Sequence, residues 1–182
     1  MYEQTFLEAD TDYVYTVEKM ATFKGRKLSK KRNLLKQFLE SYQPTAFKFT
    51  TDHIQDAIFV LDRWQEDVET PKEETDYFPC REALEIYEKL DLCGITYYVD
   101  EEPAGFILAE KLNDETLALH FAKGRKKFKG LYQYMYNTFA RILSPRYKFL
   151  NFEQDLGQLA LKIAKSSYIP DHLLNKYRIK PK

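Results

Sequence analysis

The sequence has no surplus of charge of either sign: 28 Lys and Arg balance 28 Asp and Glu over 182 residues. The whole-molecule field therefore does not draw in a polyanion, and any phosphate or nucleic-acid binding must come from a local patch. Glycine (6) and proline (7) are scarce while hydrophobic residues make up 44%, which excludes a low-complexity or disordered chain. Cysteine is limited to Cys80 and Cys93, without CxxC spacing or a nearby histidine pair. That excludes a disulfide framework, and both are expected to be neutral thiols in a reducing compartment. Long apolar runs are missing too. The longest, Ala57 to Leu61, is far short of the roughly 20 residues that cross a bilayer. The first ten residues carry acids and no basic stretch, so no signal peptide is expected and cytoplasm is the expected location. Neither His53 nor His172 lies near other ligand types, and no metal is expected.

What is present reads as alternating elements in a single domain's length. Met1–Asp10 and Glu66–Asp76 look loosely structured. Ser29 is placed as the N-cap of a helix carrying Leu34, Leu35, Phe38, Leu39 and Tyr42, ended by Pro44. A short strand at Ala46–Thr50 is followed by a helix capped at Thr51-Asp52, with Ile54, Ala57, Ile58, Leu61 and Trp64 on one face. Pro79 suits the first turn of the next helix, whose stripe is Ala83, Leu84, Tyr87 and Leu90. Cys93–Val99, Ala104–Glu110 and Glu115–Phe121 are strands joined by turns at Asp100–Pro103 and Asn113-Asp114. Connections this short predict an antiparallel meander. A basic loop, Lys123–Lys129, leads to a helix with Leu131, Tyr134, Met135, Thr138, Phe139 and Ile142 on one face, stopped at Ser144-Pro145. A strand at Tyr147–Phe152, a helix at Leu156–Ala164 and an extended tail from Pro170 complete the chain. The expected class is α/β (α+β): a mixed, mostly antiparallel sheet flanked by helices.

That order is similar to the GNAT (N-acetyltransferase-like) order. Two local strings resemble a bacterial family named after the C-terminal domain of phosphatidylglycerol lysyltransferase. One is Phe23-Lys24-Gly25-Arg26-Lys27-Leu28-Ser29-Lys30-Lys31-Arg32-Asn33 with Phe38-Leu39. The other is Asn151-Phe152-Glu153-Gln154-Asp155-Leu156-Gly157 with Lys162, Lys165, Ser167, Tyr168 and Pro170. Asp12-Tyr13-Val14-Tyr15 and His120, Lys123 and Gly130 fit as well, so the resemblance runs from about Asp12 to Tyr177. It implies a GNAT-like domain at 44–182, preceded at 1–43 by an N-terminal segment and a basic connecting helix. Relatives of this kind move an amino acid from aminoacyl-tRNA to a lipid or peptide acceptor, and ordinary GNAT enzymes move an acyl group from coenzyme A to an amine. Family members usually have two GNAT-like halves, and this chain resembles the second. Homodimerisation is expected to cover the surface that a first half would cover.

Three constellations could carry chemistry. Lys123, Gly124, Arg125, Lys126, Lys127, Phe128, Lys129 and Gly130 precede a helix, whose free amides and partial positive charge suit a phosphate. The resemblance makes this the loop that cradles the coenzyme A pyrophosphate, with Phe128 where a glycine is usual; the other reading is a solvated basic turn. At the end of the strand that follows, Glu153 and Asp155 are candidate general bases and Asn151 a substrate contact, with helix capping as the alternative for Asp155. Tyr168 is the nearest stand-in for the acid that many GNAT enzymes place on the next helix, or else a core aromatic. Lys162 and Lys165 contact an anionic donor or form a solvated face. Lys24, Arg26, Lys27, Lys30, Lys31 and Arg32 form a third cluster suited to tRNA phosphates. His120 is read as alternating with Leu119 and Phe121, facing a cleft as a substrate contact.

Two functions follow from this reading. One is an acyl- or aminoacyl-transferase using a coenzyme A thioester or aminoacyl-tRNA donor and an amine or hydroxyl acceptor. The other is a catalytically silent GNAT-like module that binds an anionic ligand or a protein.

Overall fold

A computed structural model describes residues 1–143 and 145–181. The expected meander is present as three strands, which we call β4 (Leu92–Val99), β5 (Glu102–Lys111) and β6 (Thr116–Gly124), paired antiparallel in sequence. On one side β3 (Pro44–Lys48) joins β4 antiparallel, two residues earlier than the strand expected at Ala46–Thr50. On the other side β7 (Phe149–Asn151) lies parallel to β6 after the crossover helix α5 (Leu131–Leu143), which makes the sheet mixed. Ser144, expected to help stop α5, lies outside the described residues.

The sheet does not end at β7. Strand β2 (Asp12–Thr16) pairs antiparallel with β7, and β8 (His172–Leu174) pairs antiparallel with β2. The seven-stranded order is β3-β4-β5-β6-β7-β2-β8. The N-terminal segment 1–43 thus supplies an inner strand to the sheet of 44–182. The sequence reading placed no strand at Asp12–Thr16, because a run such as Asp-Tyr-Val-Tyr-Thr is too short to show its period alone. A one-and-a-half-turn helix, α1 (Val17–Thr22), follows at once, capped by the Thr16 hydroxyl, which accepts from Lys19 N–H at 3.3 Å. Met1–Asp10 is also structured, contrary to expectation. Strand β1 (Tyr2–Phe6) pairs antiparallel with β9 (Tyr177–Pro181) in a separate two-stranded sheet, and the pairing is long-range, hence invisible locally.

Helices cover both faces of the main sheet. Alternation along β5 sends Phe106 and Leu108 to one core and Ile107 and Ala109 to the other. The first core contains Ala57, Val60 and Leu61 of α3 (Ile54–Asp67) and Cys80 and Leu84 of α4 (Tyr77–Glu85). The second contains Met20 of α1, Phe38 of α2 (Ser29–Ser41), and Leu131, Met135 and Phe139 of α5. Fully burying a side chain of this size is worth about 1.5–3 kcal/mol. Two caps differ from expectation. Ser29 lies inside α2, after a short 3₁₀ turn at Arg26–Leu28. Thr50, not Thr51, forms a reciprocal cap with His53 before α3. Both cysteines are free; Cys80 is buried and Cys93 exposed, and burial pushes each thiol's pKa up. Among the described residues no helix is long and apolar enough to cross a membrane.

Candidate functional site

The parallel pairing of β6 with β7 lasts only from Thr116↔Phe149 to Ala118↔Asn151, while β6 runs on to Gly124. The two strands therefore part company, and the open stretch of β6 faces the chain that leaves β7. His120 sits in that stretch. It does not continue the alternation of its neighbours: Leu108 pairs with Phe121 and Ala109 with Leu119, so His120 is the extra residue of a bulge. A bulge re-aims a side chain. Here it turns the imidazole between two carboxylates, with Nδ1 3.2 Å from Glu153 Oε1 and Nε2 3.0 Å from Glu110 Oε2. The hydrogen bond with Glu153 chiefly, and that with Glu110, lifts the imidazole to about 8 against the opposing effect of burial.

At the mouth of the same strand lies the basic loop. Trp64, Asp67, Arg125, Lys126, Lys129 and Gln133 are among the residues that line a cavity of about 360 Å³ beside the start of α5. The loop's cations are largely spoken for. Lys123 is only 4% exposed; its Nζ stands 2.5 Å from Asp76 and 3.6 Å from the centre of the Trp64 ring. Lys127 and Arg125 both bond Glu102, which holds that carboxyl below its usual range. Lys126 and Lys129 are exposed at the cavity rim. Backbone donors are shared out as well. The Gly124 N–H meets the Tyr132 hydroxyl at 3.1 Å, and the Lys126 N–H donates to Asp67 at 2.8 Å. Phe128 packs edge-on against Tyr42 in the core. Gly130 has φ +94°, and a Cβ there would meet the Leu34 carbonyl at 2.7 Å, so glycine is needed for the close approach of α2.

The segment leaving β7 is held from three sides. Asn151 donates to buried Asp12 at 2.9 Å and accepts from the Glu153 N–H at 2.7 Å. Asp155 is buried, accepting from the Tyr13 hydroxyl at 2.6 Å and the Gly157 N–H at 2.8 Å. It does not cap a helix at Leu156: the helix, α6, spans Leu159–Ser166. Lys165 reaches back from α6 to donate to the carbonyls of Phe152 and Gln154, each at 2.6 Å, and that of Glu153 at 3.3 Å. Burial pushes its ammonium down to about 8. Glu153 itself has φ +56°, a backbone region that costs a non-glycine residue about 1–3 kcal/mol and that this surrounding framework sustains.

Tyr168 is buried against Tyr15, Phe23 and Tyr136, and burial pushes its hydroxyl's pKa up. Its oxygen accepts from Gln133 Nε2 at 2.8 Å, and Gln133 lines the cavity. Lys31, from the basic stretch of α2, lies 3.9 Å over the Tyr168 ring and donates to Ser167 at 2.7 Å. The basic stretch and the cavity are thereby joined through Tyr168 and Gln133. In the same stretch Arg32 is tied to the carbonyls of Phe23 and Gly25. Sequence reasoning missed Glu110, Asp67, Glu102, Gln133 and Tyr13. Each acts through a partner distant in the chain, and only the acidic residues carried any signal, as carboxylates scattered around a basic loop.

Residues 1–180 match the family model described as phosphatidylglycerol lysyltransferase, C-terminal. The chain is 27% identical over 179 residues to the protein MYCGA3080 of Mycoplasmoides gallisepticum, covering 95% of this chain and 57% of that one. The crystal structure of a conserved protein of unknown function from Bacteroides thetaiotaomicron superposes with a TM-score of 0.88 at 28% identity, over 98% of this chain and 61% of that one. The C-terminal domain of a putative lysylphosphatidylglycerol synthetase from Agrobacterium fabrum shares the fold, with a TM-score of 0.65 at 13% identity, over 98% of this chain and 60% of that one. The chain thus spans less than two thirds of the length of each of these proteins.

Proposed function

The chain belongs to the phosphatidylglycerol lysyltransferase C-terminal family, and from that premise we propose that it is a GNAT-type transferase module taking its acyl group from an aminoacyl-tRNA rather than from a coenzyme A thioester. The observation that carries this reading is the connection from the cavity, through Gln133 and Tyr168, to Lys31 in the basic stretch Lys24–Arg32. A polynucleotide donor needs cations spread over a surface beyond the reacting end. A coenzyme A diphosphate instead needs backbone amides at close range, and Gly130 here is used for packing against α2 while Asp67 holds the Lys126 amide. In this reading Lys126 and Lys129 contact the donor, and the bulged His120 and Glu153 face the acceptor. The acceptor nitrogen or oxygen attacks the ester carbonyl and gives its proton to Glu153, directly or through water. The ester C–O bond breaks, and the leaving ribose oxygen takes that proton from Glu153, directly or through water. Asp155, Asn151 and Lys165 hold the Glu153 segment in place, and Tyr168 forms a wall of the donor side.

A second reading, a catalytically silent binding module, draws on Asp67 and Glu102, carboxylates of the protein itself that already occupy the loop. Thermal denaturation with charged tRNA and with acetyl-coenzyme A separates the two. A ligand at one hundred times its Kd stabilises by about 2.7 kcal/mol. The expected result is a shift with charged tRNA that Lys126→Glu with Lys129→Glu removes. A shift with acetyl-coenzyme A alone would overturn the donor, and none with either would leave the silent module.

A further inference from the structure

Trp64 is the single tryptophan of the chain, and it stands on the last turn of α3, where that helix meets the cavity beside α5. Its indole is held in place. The Lys123 ammonium lies 3.6 Å from the ring centre, and Asp76 together with burial fixes that lysine in turn. Lys123 is not one of the residues that line the cavity, so the part of the ring turned to the cavity is clear of the ammonium. Val68 and Leu131 add apolar surface beside it. The polar groups left open here are acceptors. Gln133 donates its Nε2 to Tyr168, and its carbonyl oxygen has no partner among the described residues. Asp67 accepts the Lys126 N–H at Oδ2 and keeps Oδ1. At the rim the ammonium groups of Lys126 and Lys129 are exposed and, among the described residues, unpaired, unlike those of Lys123 and Lys127.

We propose that this cavity is a subsite for an adenosine phosphate, with the base stacked on Trp64 and the phosphate at Lys126 and Lys129. A flat base presents a π-face to the indole, and a ring already fixed loses little freedom in holding it. The amino group of adenine and the hydroxyls of its ribose are donors, which matches the open oxygens of Asp67 and Gln133. A phosphate needs cations that the protein does not already neutralise, and in this loop those are Lys126 and Lys129. At about 360 Å³ the cavity lies near the lower end of small-molecule sites, with room for one nucleoside and not for an extended arm. A cationic side chain fits less well, because it would lie beside Lys126 and Lys129. An acyl tail would leave the oxygens of Asp67 and Gln133 unmatched.

The inference rests on the proposed donor only for the source of the nucleotide. An aminoacyl-tRNA carries its ester on a terminal adenosine, and coenzyme A contains an adenosine as well, so the chemistry the two share is an adenosine bearing phosphate. The two readings fail separately. The cavity can hold the adenosine of coenzyme A where tRNA is not the donor, and tRNA can bind through Lys24–Arg32 where the cavity takes no base.

Because the chain has no other tryptophan, the fluorescence of Trp64 reports on the cavity directly. Adenosine monophosphate is expected to change it saturably, and to bind about tenfold more tightly than uridine monophosphate or inorganic pyrophosphate. Calorimetry on Trp64→Leu is expected to show adenosine monophosphate binding weakened about tenfold or more. Trp64→Phe, which keeps an aromatic face, is expected to recover part of that loss, with circular dichroism confirming that both variants fold. Competition then assigns the source. Displacement of the nucleotide at lower concentration by uncharged RNA ending in CCA supports the subsite as part of a tRNA site, and displacement at lower concentration by coenzyme A supports it as part of a thioester site. Four results would overturn the proposal: no saturable change with adenosine monophosphate, pyrophosphate binding as tightly as the nucleotide, parent-like binding by both Trp64 variants, or displacement by neither competitor.

Discussion

Helices α5 and α6 carry the same kind of pattern and put it to opposite uses. Both are amphipathic at helical spacing, both follow a strand of the same sheet, and both begin near the candidate site. In α5 the stripe Leu131, Met135 and Phe139 is buried in the core between the sheet and α1 and α2. In α6 the corresponding stripe is in solvent and Lys165 is the residue that turns inward. Periodicity establishes that a helix has two sides. Which side meets the protein depends on what waits beneath. Under α5 lies an apolar sheet face, and under α6 lie the carbonyls of Phe152 and Gln154, which no leucine could satisfy and which a lysine can.

The comparison is most directly broken by truncating one residue from each stripe. Phe139→Ala in α5 leaves a cavity in a packed core and is expected to cost about 3–5 kcal/mol of unfolding free energy. Leu159→Ala in α6 is expected to leave the unfolding of the isolated monomer within about 0.5 kcal/mol, as at any surface position. Urea unfolding at a dilution that favours monomer measures both. Equal costs in the two helices would mean that α6 is packed in solution in a way the present arrangement does not provide.

The same contrast explains how much could be read from the residues alone. The meander, the crossover to β7 and the stripe of α5 were legible because each is local: short turns dictate antiparallel neighbours, and a long apolar stripe signals a helix with a core to meet. Strands β1, β2, β8 and β9 were not, since each owes its existence to a partner far along the chain. The candidate site divides in the same way. Glu153, Asp155 and Asn151 stood out as a polar cluster where a strand ends; the structure brings Glu153 to His120 at the gap between β6 and β7 with Asn151 bonded to the Glu153 N–H, while Asp155 turns to Tyr13 of β2. The basic loop was legible as charge, but the carboxylates of Asp76, Glu102 and Asp67 that engage it come from three other segments. Nor could the bulge at His120 be foreseen, because it is a property of the register with β5 and not of β6 by itself.

Lys165 is the residue of α6 that ties the helix to the segment leaving β7, and Lys165→Met is the next largest expected effect. Methionine keeps the length and removes three donated hydrogen bonds, so the carbonyls of Phe152 and Gln154 are left to water or unpaired, while that of Glu153 keeps the Tyr13 N–H. A loss of about 1–3 kcal/mol is expected, with α6 detached from the loop and faster amide exchange from Leu159 to Ser166. Lys162→Met, which gives up one exposed pair with Glu8, is expected to change little. A pH test adds a sign. Burial lowers Lys165 from its ordinary value to about 8, so the buried charge costs the fold stability below that pH. The cost is relieved as pH rises from about 8 towards 10.5. The parent should gain stability over that window relative to Lys165→Met.

His120 gives a smaller effect than Lys165 and the opposite sign. Its imidazole is raised to about 8 by Glu153 and Glu110, so its charged form stabilises the folded chain fully below the ordinary value near 6.5. That contribution fades as pH rises through 8. At about 1.4 kcal/mol per pKa unit the expected loss is about 1–2 kcal/mol between pH 6.5 and 8. Glutamine at position 120 carries no titrating charge, so the difference in stability between parent and His120→Gln should shrink across this window. Glu110→Gln removes the weaker of the two carboxylate bonds and should move the imidazole part of the way back towards 6.5, read directly from the NMR titration of its ring protons. If His120 titrated near 6.5 in the parent, the bulge would have turned it towards solvent instead, and the gap beside β6 would lack the imidazole–carboxylate pair on which the proposed acceptor side rests.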